Sequence, residues 1–279
     1  MLFQIKIDPS WGPVLMLCSD KTEIGIALNF GIRIIHLSHI GMPNLLYRQP
    51  DDLSDGYTTD AGWRLYGGHR LWLAPESDRS TYPDNESVTY KILEDGVELV
   101  QQPDPWLQII KFLRIKFCED GFIQLTHSIK NCGSYAIRAA LWGITTLSGG
   151  GIADVSFSGT LPPDDLTPKR TVSLWADTNL GDPRVSFEKD RITFRHIPSD
   201  DFFKIGVFSK DGKMSTENFG QRLEIFFESN KIDDLPDFGC NAEIYLDRNF
   251  IELESLGIMQ TIPAGQYASH TELWRVLQL

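Results

Sequence analysis

An all-β fold of two large stacked antiparallel sheets is what this sequence predicts. Three observations lead there. Runs rich in β-branched and aromatic residues recur along most of the chain, turn pairs separate them, and no stretch shows a sustained apolar period of 3.6 residues.

The elements follow in order. Val88–Leu93 leads through Asp95-Gly96 into Val97–Gln101. Leu107–Phe117 leads through Asp120-Gly121 into Phe122–Ile129. Asp-Gly favours tight hairpins because such turns need positive φ at their centre. Two further Asp-Gly pairs occur, at Asp55-Gly56 and Asp211-Gly212, and three of the four lie between β-rich runs. Asn131-Cys132-Gly133-Ser134 then turns into Tyr135–Leu147. The later strands are expected at Thr171–Trp175, Arg191–His196, Lys204–Ser209, Leu223–Glu228, Ala242–Leu246, Phe250–Leu256 and Ser269–Leu277. Thr216–Phe227 is the one window read as a short turn of helix. Ser148–Pro168, with Gly149-Gly150-Gly151, Pro162-Pro163 and Asp164-Asp165, reads as a long loop over a sheet edge. Loops of that length in a compact domain often serve function. Long strands favour wide, curved sheets, and the natural architecture is a sandwich with one concave face. All-β chains of this size are commonly one domain, so residues 1–279 are expected to form one.

The bulk chemistry narrows the partners. A net charge of −12 repels phosphate backbones and anionic lipid, which argues against nucleic acid or a membrane surface. No apolar run approaches the ~20 residues of a membrane span. The start, Met1 to Pro9, lacks a signal peptide's basic head and apolar stretch. Cys18, Cys118, Cys132 and Cys240 are too scattered for a metal or redox pair, and read as buried thiols in a reducing cytoplasm. His36 and His39 fall on opposite faces of a strand, so no transition-metal site is expected. Phosphate loop, dinucleotide fingerprint and nucleophile elbow are all missing, and no cofactor is expected. The sequence does not determine oligomeric state.

Candidate site residues come from strand alternation. In Phe250–Leu256, Glu252 and Glu254 share a face while Ile251 and Leu253 point away. In the last strand His270, Glu272 and Trp274 alternate likewise. Carboxylates, an imidazole and an indole together suit a sugar: acids and bases for hydroxyl protons, a flat ring for the apolar pyranose face. The plainer alternative is a solvated sheet face. Gly67-Gly68-His69-Arg70-Leu71-Trp72-Leu73-Ala74-Pro75-Glu76 packs a ring base, a guanidinium, an indole and a carboxylate into ten residues. Arg70 can donate a forked pair of hydrogen bonds, and Trp72 can stack on a sugar. The bland reading is a surface hairpin. His127 lies among Ile123, Leu125 and Ile129 and reads as a satisfied core histidine. Trp142, in Ala139–Leu147, reads as core on its own pattern and as a ligand platform beside its neighbours.

The order of these features resembles the galactose mutarotase-like, or aldose 1-epimerase, superfamily. The matching pieces are Gly67–Glu76, Tyr82-Pro83-Asp84-Asn85, Asn131–Thr146, Gly149–Gly151, Phe250–Gly257 and the ending Ile262-Pro263-Ala264-Gly265-Gln266 with His270-Thr271-Glu272-Leu273-Trp274. Most similar is a branch marked by Gly-Gly-x-Arg-x-Trp with a following Pro-Glu. The resemblance implies a β-supersandwich with a sugar site on its concave sheet. It implies a glutamate base, at Glu254, and a substrate-holding arginine, at Arg70. The family acid is a histidine in a Leu-His-x-Tyr-Phe strand, but Leu141-Trp142-Gly143-Ile144-Thr145 puts Trp142 there. An indole delivers no proton. Either His270, His69 or His127 replaces the acid, with His270 preferred, or the chain only binds sugar, or it runs another sugar-directed reaction on the same scaffold. The expected catalytic pair is Glu254 and His270. The expected binding residues are His69, Arg70, Trp72, Glu76, Trp142 and Glu272, and the expected partner is a small-molecule sugar.

Overall fold

A computed structural model describes residues 2–50, 63–77, 83–157, 170–229 and 231–279. The strands, in chain order, are β1 (Leu2–Asp8), β2 (Gly12–Cys18), β3 (Thr22–Ala27), β4 (Arg33–His39), β5 (Gly68–Ala74), β6 (Val88–Leu93), β7 (Gly96–Gln101), β8 (Ile109–Phe117), β9 (Ile123–Asn131) and β10 (Ile137–Ser148). They continue as β11 (Ile152–Ser156), β12 (Val172–Leu174), β13 (Val185–Phe187), β14 (Arg191–Arg195), β15 (Phe203–Val207), β16 (Lys213–Asn218), β17 (Gln221–Phe227), β18 (Ala242–Leu246), β19 (Phe250–Leu256), β20 (Gln260–Ile262) and β21 (Tyr267–Gln278). One 3-10 turn spans Ile232–Asp234.

Two antiparallel sheets stack on each other. The first runs β1-β2-β3-β4-β5-β10-β19-β18-β15-β12, with β20 pairing on β10. The second runs β13-β14-β11-β16-β17-β21-β9-β8-β7-β6. The all-β sandwich is therefore as the sequence predicts. No described helix is long and apolar enough to cross a membrane.

Alternation builds the core between the sheets. On β9 the inward residues are Ile123, Leu125, His127, Ile129 and Asn131. Ile123 and Leu125 join inward aliphatics of the first sheet such as Ile24, Ile34 and Leu253 in one apolar cluster, and Ile129 joins Leu71 and Leu141 in another. Burying each large aliphatic side chain contributes about 1.5–3 kcal/mol, which is why the strand pattern survives across so many elements.

Several expectations need correction. Thr216–Phe227 holds no helix: it covers the end of β16 and β17, whose inward residues Leu223 and Ile225 are fully buried. Ser148–Pro168 is not a plain loop, because it contains β11, placed in the second sheet between β14 and β16. Its later part, and the Asp55-Gly56 pair, lie outside the described residues. Asp95-Gly96 and Asp120-Gly121 do join paired strands. Asp211-Gly212 instead carries the chain from β15 in one sheet to β16 in the other. Of the four cysteines, all unpaired, only Cys240 is buried; Cys132 is exposed and the other two are intermediate.

The glycine pair at the start of β5 has a packing reason. Gly67 and Gly68 both have positive φ, and a Cβ on either would stand 2.4 Å from a backbone oxygen, of Tyr47 or Ile34. They let β5 enter the sheet beside β4. Asp84, in the Tyr82–Asn85 piece, is buried and bonded to Lys111 at 2.8 Å; Tyr82 lies outside the described residues.

Candidate functional site

Residues directly opposite in a β ladder share a face, so the registers lay out the site. One row across the first sheet reads Arg70, Ile144, Glu254, Glu243 and Gly206. The next reads Gly68, Thr146, Glu252, Tyr245 and Lys204. A third puts Trp72 beside Trp142. All three rows belong to the face turned away from the second sheet.

This face floors a hollow of about 420 Å³, walled by Trp63, Leu65, Arg70, Trp72, Glu76, Trp142, Ile144, Phe202, Lys204, Tyr245, Asp247, Phe250, Glu252 and Glu254. Its walls are aromatic. Arg70 lies 4.4 Å from the Trp72 ring centroid and 5.4 Å from that of Trp63. Lys204 sits 4.8 Å from the Trp142 centroid and 4.9 Å from that of Trp175. Guanidinium or ammonium over an indole face is a favourable electrostatic contact. The Trp142 Nε1 has no hydrogen-bond partner among the described residues and is buried at the wall.

Lys204 links two carboxyl groups. Its Nζ is 2.9 Å from Glu243 and 3.1 Å from Glu254. Burial works against the ammonium, but the charges of Glu254 and Glu243 outweigh it and hold the lysine pKa above its ordinary value. Glu243, at the bottom, is pushed well above the usual carboxyl range by burial, with the charges of Glu254 and Asp237 adding to it and that of Lys204 opposing. Glu252 stands two residues from Glu254 on the same face and keeps part of its surface open to the hollow. Burial of its carboxyl and the charge of Glu254 raise it to about 7, against the pull of Arg70 and a 2.8 Å hydrogen bond donated by Thr146. Near neutral pH this face therefore offers a group able to give a proton beside one bonded to a cation.

A second polar cluster occupies the opposite side of the same strands. His69, Thr145 and Ser255 point between the sheets and meet His127 of β9 and His270, Glu272 and Trp274 of β21. His69 Nδ1 is 2.9 Å from the Thr145 hydroxyl, and the two Nε2 atoms of His69 and His127 are 2.8 Å apart. Ser255 bonds His270 Nε2 at 2.6 Å and donates to Glu272. The indole of Trp274 donates to the other Glu272 oxygen at 2.9 Å. Burial drives His69 down to about 3, with the charge of His270 adding, and His270 down to about 4; His127 is also held well below its ordinary value by burial. Burial raises Glu272 to about 7 despite both donors. Gly143 leaves room for it, since a Cβ there would stand 2.8 Å from Glu272 Oε1.

The sequence-predicted residues thus divide. Arg70, Trp72, Glu76, Trp142 and Glu254 surround the hollow. His69, His270 and Glu272 do not join them; each is buried between the sheets, with the strands β5, β10 and β19 intervening. The expectation that His270 meets Arg70 and Glu254 in one pocket is corrected by this geometry. Its cause is alternation within β5, which sends Arg70 and His69 to opposite faces, and membership of β21 in the other sheet. His127 is the buried core histidine expected of it. Glu252 shares the face of Glu254 as expected, and Lys204, Glu243 and Tyr245 are additional groups on or beneath the floor. The alternation of Glu243 and Tyr245 within Ala242–Leu246 was a readable signal for two of them. His69, His127 and Glu272 are the group of described residues whose potential ligand atoms come together within 4.8 Å, close enough to consider a cation, yet the two imidazoles already bond each other.

No family model matches the sequence, and no curated protein does. Solved structures do. A galactose mutarotase-like protein from Lactobacillus casei superposes with a TM-score of 0.62 at 13% identity, covering 95% of this chain and 100% of that one. A galactose mutarotase-like protein from Clostridium acetobutylicum gives 0.57 at 11%, covering 100% and 99%. A TPR-domain containing protein from Parabacteroides distasonis gives 0.62 at 16%, over 95% of this chain but 47% of its own, so this chain spans about half its length. The fold is the galactose mutarotase-like one.

Proposed function

We propose that the hollow binds a neutral pyranose sugar and interconverts its anomers, with Glu254 as base and Glu252 as acid. The supporting observation is the pair of carboxyl groups on one open strand face. Glu254 is bonded to Lys204, and Glu252 is raised to about 7. A carboxyl whose pKa lies near the working pH suits a general acid. The resemblance to mutarotases in fold agrees with this reading.

The step balances within the two groups. Glu254 takes the proton of the anomeric hydroxyl, the C1–O5 bond opens, and Glu252 gives its proton to O5. Rotation about C1–C2 turns the aldehyde. Reclosure runs the transfers backwards and restores both carboxyl groups. Arg70 and Glu76 would take sugar hydroxyls, with Trp72 and Trp142 backing Arg70 and Lys204 from the wall. The carboxyl groups around the hollow disfavour a phosphorylated sugar. General acid–base assistance of this type is worth about 10²–10⁴-fold.

A binding-only reading is favoured by one observation: Trp142 stands where the family acid would, and its unpartnered Nε1 can donate to a sugar oxygen. Calorimetric titration with glucose and galactose, alongside polarimetry, separates the readings. Binding heat with faster optical relaxation supports catalysis. Heat without it supports binding alone, and neither contradicts both. A cytoplasmic location fits the four unpaired cysteines.

A further inference from the structure

Strand β1 forms one edge of the first sheet, with β2 as its neighbour. None of its seven residues is buried. Leu2, Phe3, Ile5 and Ile7 are 77%, 56%, 46% and 75% exposed. Scattered exposed aliphatics are ordinary, but a row of them along a bare strand edge invites another strand. Natural edges are often blunted by proline, by a bulge or by charges turned inward. β1 has none of these. It pairs with β2 without a register shift from Leu2 opposite Cys18 to Asp8 opposite Gly12, and Lys6 and Asp8 lie on the outer face.

The register also fixes which backbone groups are free. Ile7 stands opposite Pro13, which has no N–H and whose carbonyl accepts from the Leu28 N–H at 3.2 Å. Ile7 therefore makes no ladder bond to β2, and its N–H and C=O point to the open edge. Bonded and non-bonded pairs alternate along an antiparallel ladder, so Ile5 and Phe3 point theirs the same way. The side chains of these residues share a face as well. Phe3 and Ile5 stand opposite Leu17 and Leu15 of the core between the sheets, so the core-facing row runs on into solvent.

This edge is complementary to itself. A second β1, turned antiparallel about a two-fold axis at Ile5, sets Ile5 opposite Ile5 and Phe3 opposite Ile7. The three N–H and three C=O groups of each copy then all find partners, and apolar side chains meet apolar ones. An axis at Ile7 would instead set Ile5 against Pro9, which has no N–H to give. On the outer face Lys6 meets Gln4, and Asp8, already bonded to Arg48 at 2.9 Å, meets Leu2, so no like charges stand opposite. We infer that β1 pairs antiparallel with β1 of a second copy of this chain about a two-fold axis at Ile5, joining two first sheets into one. Such a contact occupies this edge in both copies and closes at two. No β1 residue lines the hollow, so the pairing is independent of what the hollow binds.

Sedimentation equilibrium on the full chain, with any purification tag placed after Leu279, tests this. At micromolar concentration the protein is expected to be a dimer. Ile5→Lys sets two ammonium groups face to face and is expected to weaken the dimer tenfold or more, with the far-ultraviolet circular dichroism unchanged. Ile5→Cys is expected to give, under mild oxidation, a dimer cross-linked through position 5. Opposed residues of a bonded pair have Cα atoms about 5.5 Å apart, within the reach of a disulfide. Peptide mapping separates that link from one through the exposed Cys132. A protein that stays monomeric, its edge bare or left for a strand of some other chain, overturns the inference. A dimer left intact by Ile5→Lys overturns it too, as does a failure of Ile5→Cys to link at that position.

Discussion

Strands β5, β10 and β19 carry two polar clusters back to back, and the two are handled in opposite ways. On the outer face, Glu254 and buried Glu243 are bridged by Lys204, and Glu254 and Lys204 line a hollow. On the inner face, His69, His127, His270 and Glu272 are sealed between sheets and joined by neutral partners: hydroxyls, an indole and each other. Burial there drives the imidazoles and the carboxyl toward their uncharged forms. A closed polar layer is stabilised by hydrogen-bond satisfaction. The outer one differs in holding a cation, Lys204, whose ammonium its carboxyl partners favour, although burial raises Glu243 and Glu252 there as it raises Glu272 inside. The same strands therefore build structure on one side and a reactive surface on the other.

The largest effect on this contrast is expected from Lys204→Met. It leaves Glu243 and Glu254 facing each other without their shared cation, and breaking a buried pair in this manner costs about 3–5 kcal/mol. Urea unfolding at pH 7 would measure it. A change under 1 kcal/mol would mean that the outer cluster does not depend on charge pairing.

The inner cluster should show itself in pH dependence. Glu272 rises from 4.5 to about 7 on folding. Its contribution is full below pH 4.5 and is lost as pH rises through 7, by about 3 kcal/mol at 1.36 kcal/mol per pKa unit. The buried histidines have the opposite sign: their contribution is present above pH 6.5 and is lost as pH falls toward 4 and 3. Glu272→Gln is expected to remove the fall in stability between pH 4.5 and about 7 that Glu272 causes, whatever its effect on absolute stability. Parallel wild-type and variant pH–stability curves would show that the inner carboxyl is ionised in the folded protein.

A smaller effect concerns Glu252. If its proton opens the sugar ring, kcat/KM for anomer exchange should fall as pH rises through about 7, where the group ionises. Glu252→Gln is expected to flatten that limb along with lowering the rate. A wild-type rate constant between pH 6 and 9 would remove Glu252 from the acid's role.

Much of the fold is legible in the sequence, and part of the site is. Val88–Leu93, Ala242–Leu246 and Phe250–Leu256 are strands with the expected bounds, because period-two patterning and turn chemistry are local. Glu252 and Glu254 share a face for the same reason. Alternation cannot say which face a second sheet will cover. That depends on pairings between distant strands, such as Glu254 with Glu243 or His270 with His127. Hence the face of β19 opens to a hollow, while the similarly patterned face of β21 is sealed in. The β5 cluster was dense enough to look like one site, but alternation divides it, with Arg70 and Trp72 outward and His69 inward. Lys204 gives little local sign of its role, since its two carboxyl partners lie about 40 and 50 residues away.

Anomer exchange followed by NMR, with glucose, galactose, maltose and lactose, compares wild-type protein with Glu254→Gln most directly. The wild type is expected to accelerate exchange of at least one sugar, and Glu254→Gln to slow it by 100-fold or more while the protein stays folded. Acceleration that survives the substitution would contradict the assignment of catalysis to the open face of β19.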